Sequence, residues 1–266
     1  MSSRQPVDAA CDGAAPLSSG FRRRIRLQTL LDAADGPQVR AALEDDFHHF
    51  RLAMQADALG RVQAVQASAP RHPYSLCPAA AGELQQLCGL PLPGRAQALV
   101  AQADARQHCT HLLDLAGLAA ATMQQRLDAR QYDIWVPTRM AGHTEAKLWR
   151  DGQPLLRWAV QDDTLTGPAP YIGVGLRQGL ARWAAQNLGA DEAEAALVLR
   201  RCVMISLGRS KPLDEQVHAA PTGLCFAQQP QRATLALRQR GSTWDFSHRP
   251  QALCADDEAW LAFAAD

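Results

Sequence analysis

Apolar residues alternate with polar ones over two well-separated stretches of the chain, and this period of two constrains the fold more than any other feature. The first stretch runs over residues 22–65 and the second over residues 132–160. Alternation at every second residue is typical of strands that bury one face. Each stretch is followed by segments of helical period. The order of strands, helices, strands and helices predicts an α+β fold.

The first stretch predicts an antiparallel sheet packed with helices. Phe50, Leu52 and Met54 are separated by single polar or small residues, and a turn at Gly60 precedes a further alternating segment at residues 61–65. Two alternating segments joined by such a turn predict a β-hairpin. An apolar helical pattern then covers residues after 104 or 110. Both starting points agree with the sequence.

The second stretch predicts another α+β unit. Residues 147–149 and 155–160 flank Asp151-Gly152, a pair typical of a tight hairpin turn. Patterns of helical period follow over residues 176–188, 191–208 and 230–240. We therefore predict a second α+β half with its own hairpin and helices.

The length of 266 residues suits one large domain or two modest ones. Residues 1–20 have no periodicity and are rich in Ser, Ala, Asp and Gly, so we predict a disordered leader there. A boundary falls where the first helices give way to the second set of strands. The predicted division is a leader (1–20), an α+β domain (21–128) and a C-terminal α+β region (129–266).

Charge and cysteine content narrow the classes of partner and compartment. The net charge is zero, so bulk electrostatics favours neither nucleic acid nor an anionic membrane as a partner. No secretory signal pattern opens the chain, and no apolar run reaches the about 18 residues of a membrane span. Seven cysteines without disulfide spacing are typical of reduced thiols. We expect a cytoplasmic protein, with a protein or small-molecule partner and the oligomeric state left open.

Two cysteines stand at predicted helix starts. Cys77 precedes Pro78, which suits the first turn of a helix, and Cys109 lies between His108 and His111 before an apolar helical pattern. Unpaired backbone N–H groups and the helix dipole favour anions at such positions, so we expect the pKa of these thiols to be lowered. The two histidines are three residues apart and can share a helix face.

Two thiolates with one or two imidazoles form a ligand set that suits zinc or an iron–sulfur cluster. The sequence thus predicts a metal site made by Cys77, Cys109, His111 and His108, provided that the fold brings the two cysteines together. In an alternative, Cys109 is a catalytic nucleophile activated by a histidine. In a further alternative, the cysteines are small buried core residues. The sequence does not decide whether the chain is an enzyme.

Two charged runs are interpreted as solvated. Glu44-Asp45-Asp46 stands directly before His48-His49, and a run of charge is usually a solvated edge. Asp46 would supply an oxygen ligand or a general base only if this end of the sheet lay against Cys77. The arginines at 22, 23, 24 and 26 would form an anion pocket if they met Arg209 and Lys211. The favoured interpretation is that they are the charges of an edge strand, where charge discourages pairing with other molecules.

Several of these segments together resemble an uncharacterised bacterial family of unknown function. The resemblance rests on the run at residues 43–50, the step Cys77-Pro78-Ala79-Ala80 and the segment at residues 109–112. It continues through residues 223–226 and Gly241-Ser242, and so covers most of residues 22–250. This resemblance implies no particular activity.

Residues 40–127 also loosely resemble the iron–sulfur cluster assembly scaffolds of the IscU and NifU type. Cys77 is similar to the cysteine that opens a helix in those scaffolds, and His108-Cys109 is similar to their later His-Cys pair. The resemblance implies an antiparallel sheet that carries a metal or sulfur site. We therefore expect a cytoplasmic metal-binding or sulfur-handling protein. A cysteine-dependent enzyme of acyl or thioester chemistry, and a binding module with structural cysteines, are the alternatives.

Overall fold

The computed structural model describes residues 19–263, so the predicted disordered leader lies outside the described residues except for its last two. The strands are β1 (Gly20–Leu30), β2 (Gln38–Asp45), β3 (His49–Ala56), β4 (Val62–Arg71), β5 (Ala129–Pro137), β6 (His143–Arg150), β7 (Gln153–Gln161) and β8 (Thr164–Gly167). They form one antiparallel sheet in the order β4-β3-β2-β1-β5-β6-β7-β8. The α+β fold predicted from the sequence is confirmed.

The helices follow the two sets of strands. They are α1 (Ala96–Val100), α2 (Thr110–Gln124), α3 (Leu180–Asn187), α4 (Ala190–Ile205), α5 (Pro230–Ala233) and α6 (Glu258–Leu261). The segments Pro78–Leu87, Ser206–Ser210, Leu213–Glu215, Phe226–Gln228, Pro250–Ala252 and Ala255–Asp257 are 3₁₀ helices. The helical segment predicted after Cys77 is thus a 3₁₀ helix, and of the two predicted starts of α2 the later one is confirmed.

The helix predicted over residues 230–240 is wrong in its second half. α5 ends at Ala233, and after a last helical bond from the N–H of Ala236 to the carbonyl of Arg232 the backbone bonds to remote segments. The carbonyl of Leu237 accepts the N–H of Ser75, and the N–H of Arg238 donates to the carbonyl of Val217. Tertiary backbone pairing therefore overrides the helical pattern there.

β1 lies in the middle of the sheet, so the interpretation of its arginines as edge charges is wrong. β2 pairs with one side of β1 and β5 pairs with the other. Arg22 and Arg24 donate to the backbone carbonyls of Ser247 and Leu253, and Arg26 binds Glu258. These arginines are thus held by a C-terminal segment that crosses one face of the sheet, while α2 and α4 cover the other.

The ladder between β1 and β5 joins the two regions predicted as residues 21–128 and 129–266. The two regions therefore share one sheet, and their division into separate units stays a prediction.

Glycine allows α1 to approach α2 closely, because a Cβ at Gly117 would lie 2.6 Å from the carbonyl oxygen of Ala96. Among residues 19–263, no helix combines the length and apolarity that a membrane crossing requires.

Candidate functional site

The turn between β2 and β3 is organised around the carboxylate of Asp45. Its Oδ1 accepts the backbone N–H groups of Phe47 and His48, each at 2.7 Å, as in an Asx turn. Its Oδ2 accepts Nε of Arg23 at 2.9 Å, and the Asp45 side chain has no solvent exposure. The ring Nδ1 of His48 lies 3.1 Å from Asp45 Oδ1. The turn therefore fixes the position of the His48 imidazole.

His111 brings a second imidazole to the same place from the first turn of α2. The ring centroids of His48 and His111 are 4.1 Å apart. The two histidines and Asp45 are all buried, and each offers one ligand atom such that the three atoms lie within 4.8 Å of one another. Nε2 of His111 is buried without a hydrogen-bond partner in the described part of the chain. The cluster Asp45-His48-His111 thus has the composition and spacing of a site for a metal ion.

The electrostatics keeps the carboxylate ionised and the imidazoles neutral. Burial alone would raise the pKa of Asp45, but the charge of Arg23 and the hydrogen bond with His48 lower that pKa well below its ordinary value. Burial lowers the pKa of His48, and it lowers the pKa of His111 further because His48 and Arg23 act in the same direction. An ionised carboxylate and neutral imidazoles are the forms that bind a metal ion.

A cavity of about 590 Å³ opens beside this cluster, and His48 and His111 are part of its wall. Cys77 and Cys109, which the sequence singled out, line the same cavity, and so does Cys225. The fold therefore does bring the two cysteines to one place, from the start of the 3₁₀ helix Pro78–Leu87 and the start of α2. Their role as metal ligands stays a prediction.

The expectation that the helix starts lower the pKa of these thiols is wrong. Burial raises the pKa of Cys109 to about 12, although the backbone N–H groups of His111 and Leu112 act in the opposite direction. Burial also raises the pKa of Cys77, and the neighbouring Cys109 adds to that rise. The helix-start effect is thus present at Cys109, but the loss of hydration outweighs it.

His108 is the one predicted ligand outside the cavity wall. Its side chain is fully buried, it does not line the cavity, and neither ring nitrogen has a hydrogen-bond partner within residues 19–263. Burial lowers its pKa. Its backbone carbonyl accepts the N–H of Phe226, which ties α2 to the segment that carries Cys225. The contacts of His108 therefore connect two walls of the cavity.

The interpretation of Glu44-Asp45-Asp46 as a solvated edge is wrong, because all three side chains are buried and each meets an arginine. Asp45 pairs with Arg23, Glu44 with Arg71 at 3.2 Å, and Asp46 with Arg209. Burial nevertheless raises the pKa of Asp46 to about 7. Sequence reasoning thus missed Asp45 and His48. Their signal was the spacing Asp-x-x-His at a strand end.

A family model matches part of the chain. Residues 21–125 match a family described as a protein of unknown function (DUF2889). This supports the predicted resemblance to an uncharacterised family over that part of the chain, which contains Asp45, His48, Cys77, Cys109 and His111. No curated protein and no solved structure matches the chain.

Proposed function

We propose that the chain binds a divalent transition-metal ion, with zinc as the first choice, through Asp45, His48 and His111 at the wall of a small-molecule cavity. The observation that carries the proposal is the convergence of three buried ligand atoms within 4.8 Å. Two histidines and one carboxylate are a ligand set of catalytic zinc sites and of non-haem iron sites, in which a further position stays open for water or substrate.

Two further observations support this assignment. His111 Nε2 is buried and has no partner among the described residues, a cost that a metal ion would remove. His48 Nδ1 lies 3.1 Å and 3.3 Å from the two oxygens of Asp45. Two ligands of one tetrahedral zinc ion are roughly 3.4 Å apart at ordinary zinc–nitrogen and zinc–oxygen lengths. The spacing of this pair therefore requires little change on metal binding.

A second candidate function uses the same pair without a metal. Asp45 would then hold His48 as a neutral general base, and Cys109 in the cavity wall would be the nucleophile of an acyl or thioester reaction. Burial raises the pKa of Cys109, and this opposes the hypothesis. The thiolate is the nucleophilic form, and a raised pKa makes that form harder to reach. The metal site is therefore the stronger proposal.

A narrower hypothesis adds the thiols to the metal or sulfur chemistry. Cys77, Cys109 and Cys225 line the cavity together, and thiolates are soft ligands for zinc and for iron–sulfur clusters. On this hypothesis, the chain would act as a scaffold of the IscU and NifU kind or would carry sulfur. As in the sequence prediction, His111 or His108 would join Cys77 and Cys109 as a ligand.

The test is metal analysis of the full chain purified without a histidine tag. We expect stoichiometric zinc or iron in the wild type, loss of it in His48→Ala and His111→Ala, and retention in the control His218→Ala, whose side chain is exposed. Equal metal content in wild type and His111→Ala, or no metal in either, would contradict the proposal.

Cobalt substitution then separates the ligand sets. A cobalt-loaded protein with only histidine and carboxylate ligands lacks thiolate-to-cobalt charge-transfer absorption. If that absorption is present in the wild type and lost in Cys109→Ser, the metal ligands are the cysteines and not the cluster Asp45-His48-His111. Acid-labile sulfide in protein purified without air would support the cluster-scaffold hypothesis instead.

A further inference from the structure

The 590 Å³ cavity has a strongly one-sided charge. Its lining includes the cationic side chains of Arg177, Arg200, Arg201, Lys211 and Arg238, and no acidic side chain of the described chain is part of that lining. A cavity lined by one sign of charge concentrates ligands of the opposite sign. The wall beside His48 and His111 therefore favours an anionic ligand over a neutral or cationic one.

Only part of this positive charge is neutralised by neighbouring carboxylates. Arg201 binds Asp114 at 2.7 Å and Arg238 binds Asp214 at 2.9 Å, and Arg177 likewise pairs with an aspartate, Asp163. Arg200 instead donates to the backbone carbonyls of Leu176 and Arg177, at 2.6 Å and 2.9 Å. Among the described residues, neither Arg200 nor Lys211 forms a salt bridge with a carboxylate. These two side chains carry the excess charge.

A second chamber of about 310 Å³ adjoins the first and is mostly apolar. It lies between β1, α1, α2 and α4, and three of its lining residues also line the larger cavity: His111, Arg200 and Arg201. Apart from those three residues and Arg23, Gln97 and Asp114, its lining is apolar, with Ile25, Leu43 and Leu115 among the larger side chains. An arginine with excess charge and a histidine of the metal cluster thus stand where the cavity with the cationic wall meets the smaller chamber.

We infer that the ligand of this site is an organic carboxylate with a hydrocarbon body, of which a medium-chain monocarboxylic acid is the simplest form. Its carboxylate binds Arg200 at the junction, next to His111, and its hydrocarbon part occupies the apolar chamber. The inference rests on the proposed function, since the metal ion at Asp45-His48-His111 would lie beside the bound head group. Burial of the hydrocarbon stabilises the complex, while the arginine selects the charge.

The probes are butanoate, hexanoate and octanoate, titrated calorimetrically into the zinc-loaded full chain, with metal content measured on each sample. We expect affinity to rise with chain length at roughly fourfold per buried methylene group. Arg200→Gln should weaken octanoate binding by about tenfold or more and keep the metal. The matched control Arg182→Gln removes the same charge from an exposed position that lines neither cavity, so it should leave the affinity unchanged.

Two further variants test the inference even if the variant Arg200→Gln does not fold. Lys211→Gln changes an exposed side chain with no salt bridge to lose and should weaken all three acids alike. Ala181→Phe narrows the apolar chamber from an exposed position on α3 and should abolish the rise in affinity from butanoate to octanoate. Both variants should unfold at the wild-type temperature.

The outcomes separate this inference from the metal site. Retained metal with no octanoate binding, or with binding that is equal in Arg200→Gln and Arg182→Gln, would overturn the carboxylate ligand and leave the metal site standing. Octanoate binding that depends on Arg200 in a protein without metal would overturn the metal site and support the carboxylate ligand.

Discussion

The imidazole rings of His48 and His111 lie 4.1 Å apart between centroids, although one comes from the β2–β3 turn and the other from the first turn of α2. The two rings are held differently. His48 contacts Asp45 at 3.1 Å, whereas Nε2 of His111 is buried without a partner in the described chain. A buried nitrogen without a hydrogen bond costs about 1–3 kcal/mol. His111 is therefore the residue whose replacement best separates binding from stability.

His111→Leu should abolish metal binding without destabilising the metal-free protein. The substitution removes an unpaired buried nitrogen and puts an apolar side chain of similar size in its place. The free energy of unfolding in EDTA should therefore stay the same or rise by about 1 kcal/mol. His48→Leu is the matched variant. It breaks the contact with Asp45 and should lower that free energy by about 1–3 kcal/mol. Urea unfolding checks both. A larger loss in His111→Leu than in His48→Leu would show that His111 serves the fold.

Arg23→Met should be strongly destabilising, because it leaves the buried carboxylate of Asp45 without its charge partner. The Arg23 side chain is 2% exposed and that of Asp45 is 0% exposed. Removal of one partner from a buried ion pair typically costs about 3–5 kcal/mol. Arg157→Met is the control, since Arg157 pairs with Glu145 from a side chain that is 70% exposed and should change stability by less than about 1 kcal/mol. Similar effects in the two variants would contradict the prediction.

Asp257→Asn should flatten the acid dependence of stability. Burial raises the pKa of Asp257, but hydrogen bonds and charges from His49 and Arg51 lower it more, so the folded-state pKa lies below the ordinary value of 3.8. Such a carboxylate stabilises the fold fully above that ordinary pKa, and the stabilisation is lost as the pH falls through the folded-state pKa.

Urea midpoints measured from pH 6 down to pH 2 should therefore fall less steeply in Asp257→Asn than in wild type, from a lower starting value. Asp256→Asn changes a neighbouring exposed carboxylate and should follow the wild-type curve. Parallel curves for wild type and Asp257→Asn would count against a contribution of this contact between the C-terminal segment and β3.

The cavity thiols should be slow to alkylate in the native protein. Cys77 and Cys109 are buried, and burial raises the pKa of both, whereas Cys88 is exposed. Iodoacetamide at pH 8 should therefore label Cys88 in the native protein, and Cys77 and Cys109 only after unfolding in urea. Peptide mass spectrometry identifies the labelled positions. Rapid native labelling of Cys109 would instead favour the reactive-thiol enzyme.

Local pattern was sufficient for most of the secondary structure. The period of two identified β3 and the hairpins around Gly60 and Asp151-Gly152, because alternation along a strand reflects which face is buried. Pro78 marked the start of the 3₁₀ helix for an equally local reason, since its missing N–H costs nothing there. The prediction of secondary structure failed where the partner of a segment is remote in the chain. The residues after α5 pair with residues near positions 75 and 217 instead of continuing the helix.

The sequence alone predicted only some residues of the candidate site. The thiols and His111 stood out because of their chemistry and their place at helix starts. Asp45 and His48 did not, because a run of charge is usually solvated and the groups that bury this one lie far away along the chain. Arg71 binds Glu44 and comes from the end of β4. Arg209 binds Asp46 and comes from the segment after α4.

The sequence by itself determined the α+β class, the hairpins and the identity of the residues with ligand chemistry, because these depend on neighbours a few positions away. Only the tertiary structure decided that β1 pairs with β5 and lies inside the sheet. It also decided that His48 meets His111. Backbone hydrogen bonds of a strand are the same for every residue, so pairing and burial are selected by the packing of the whole chain.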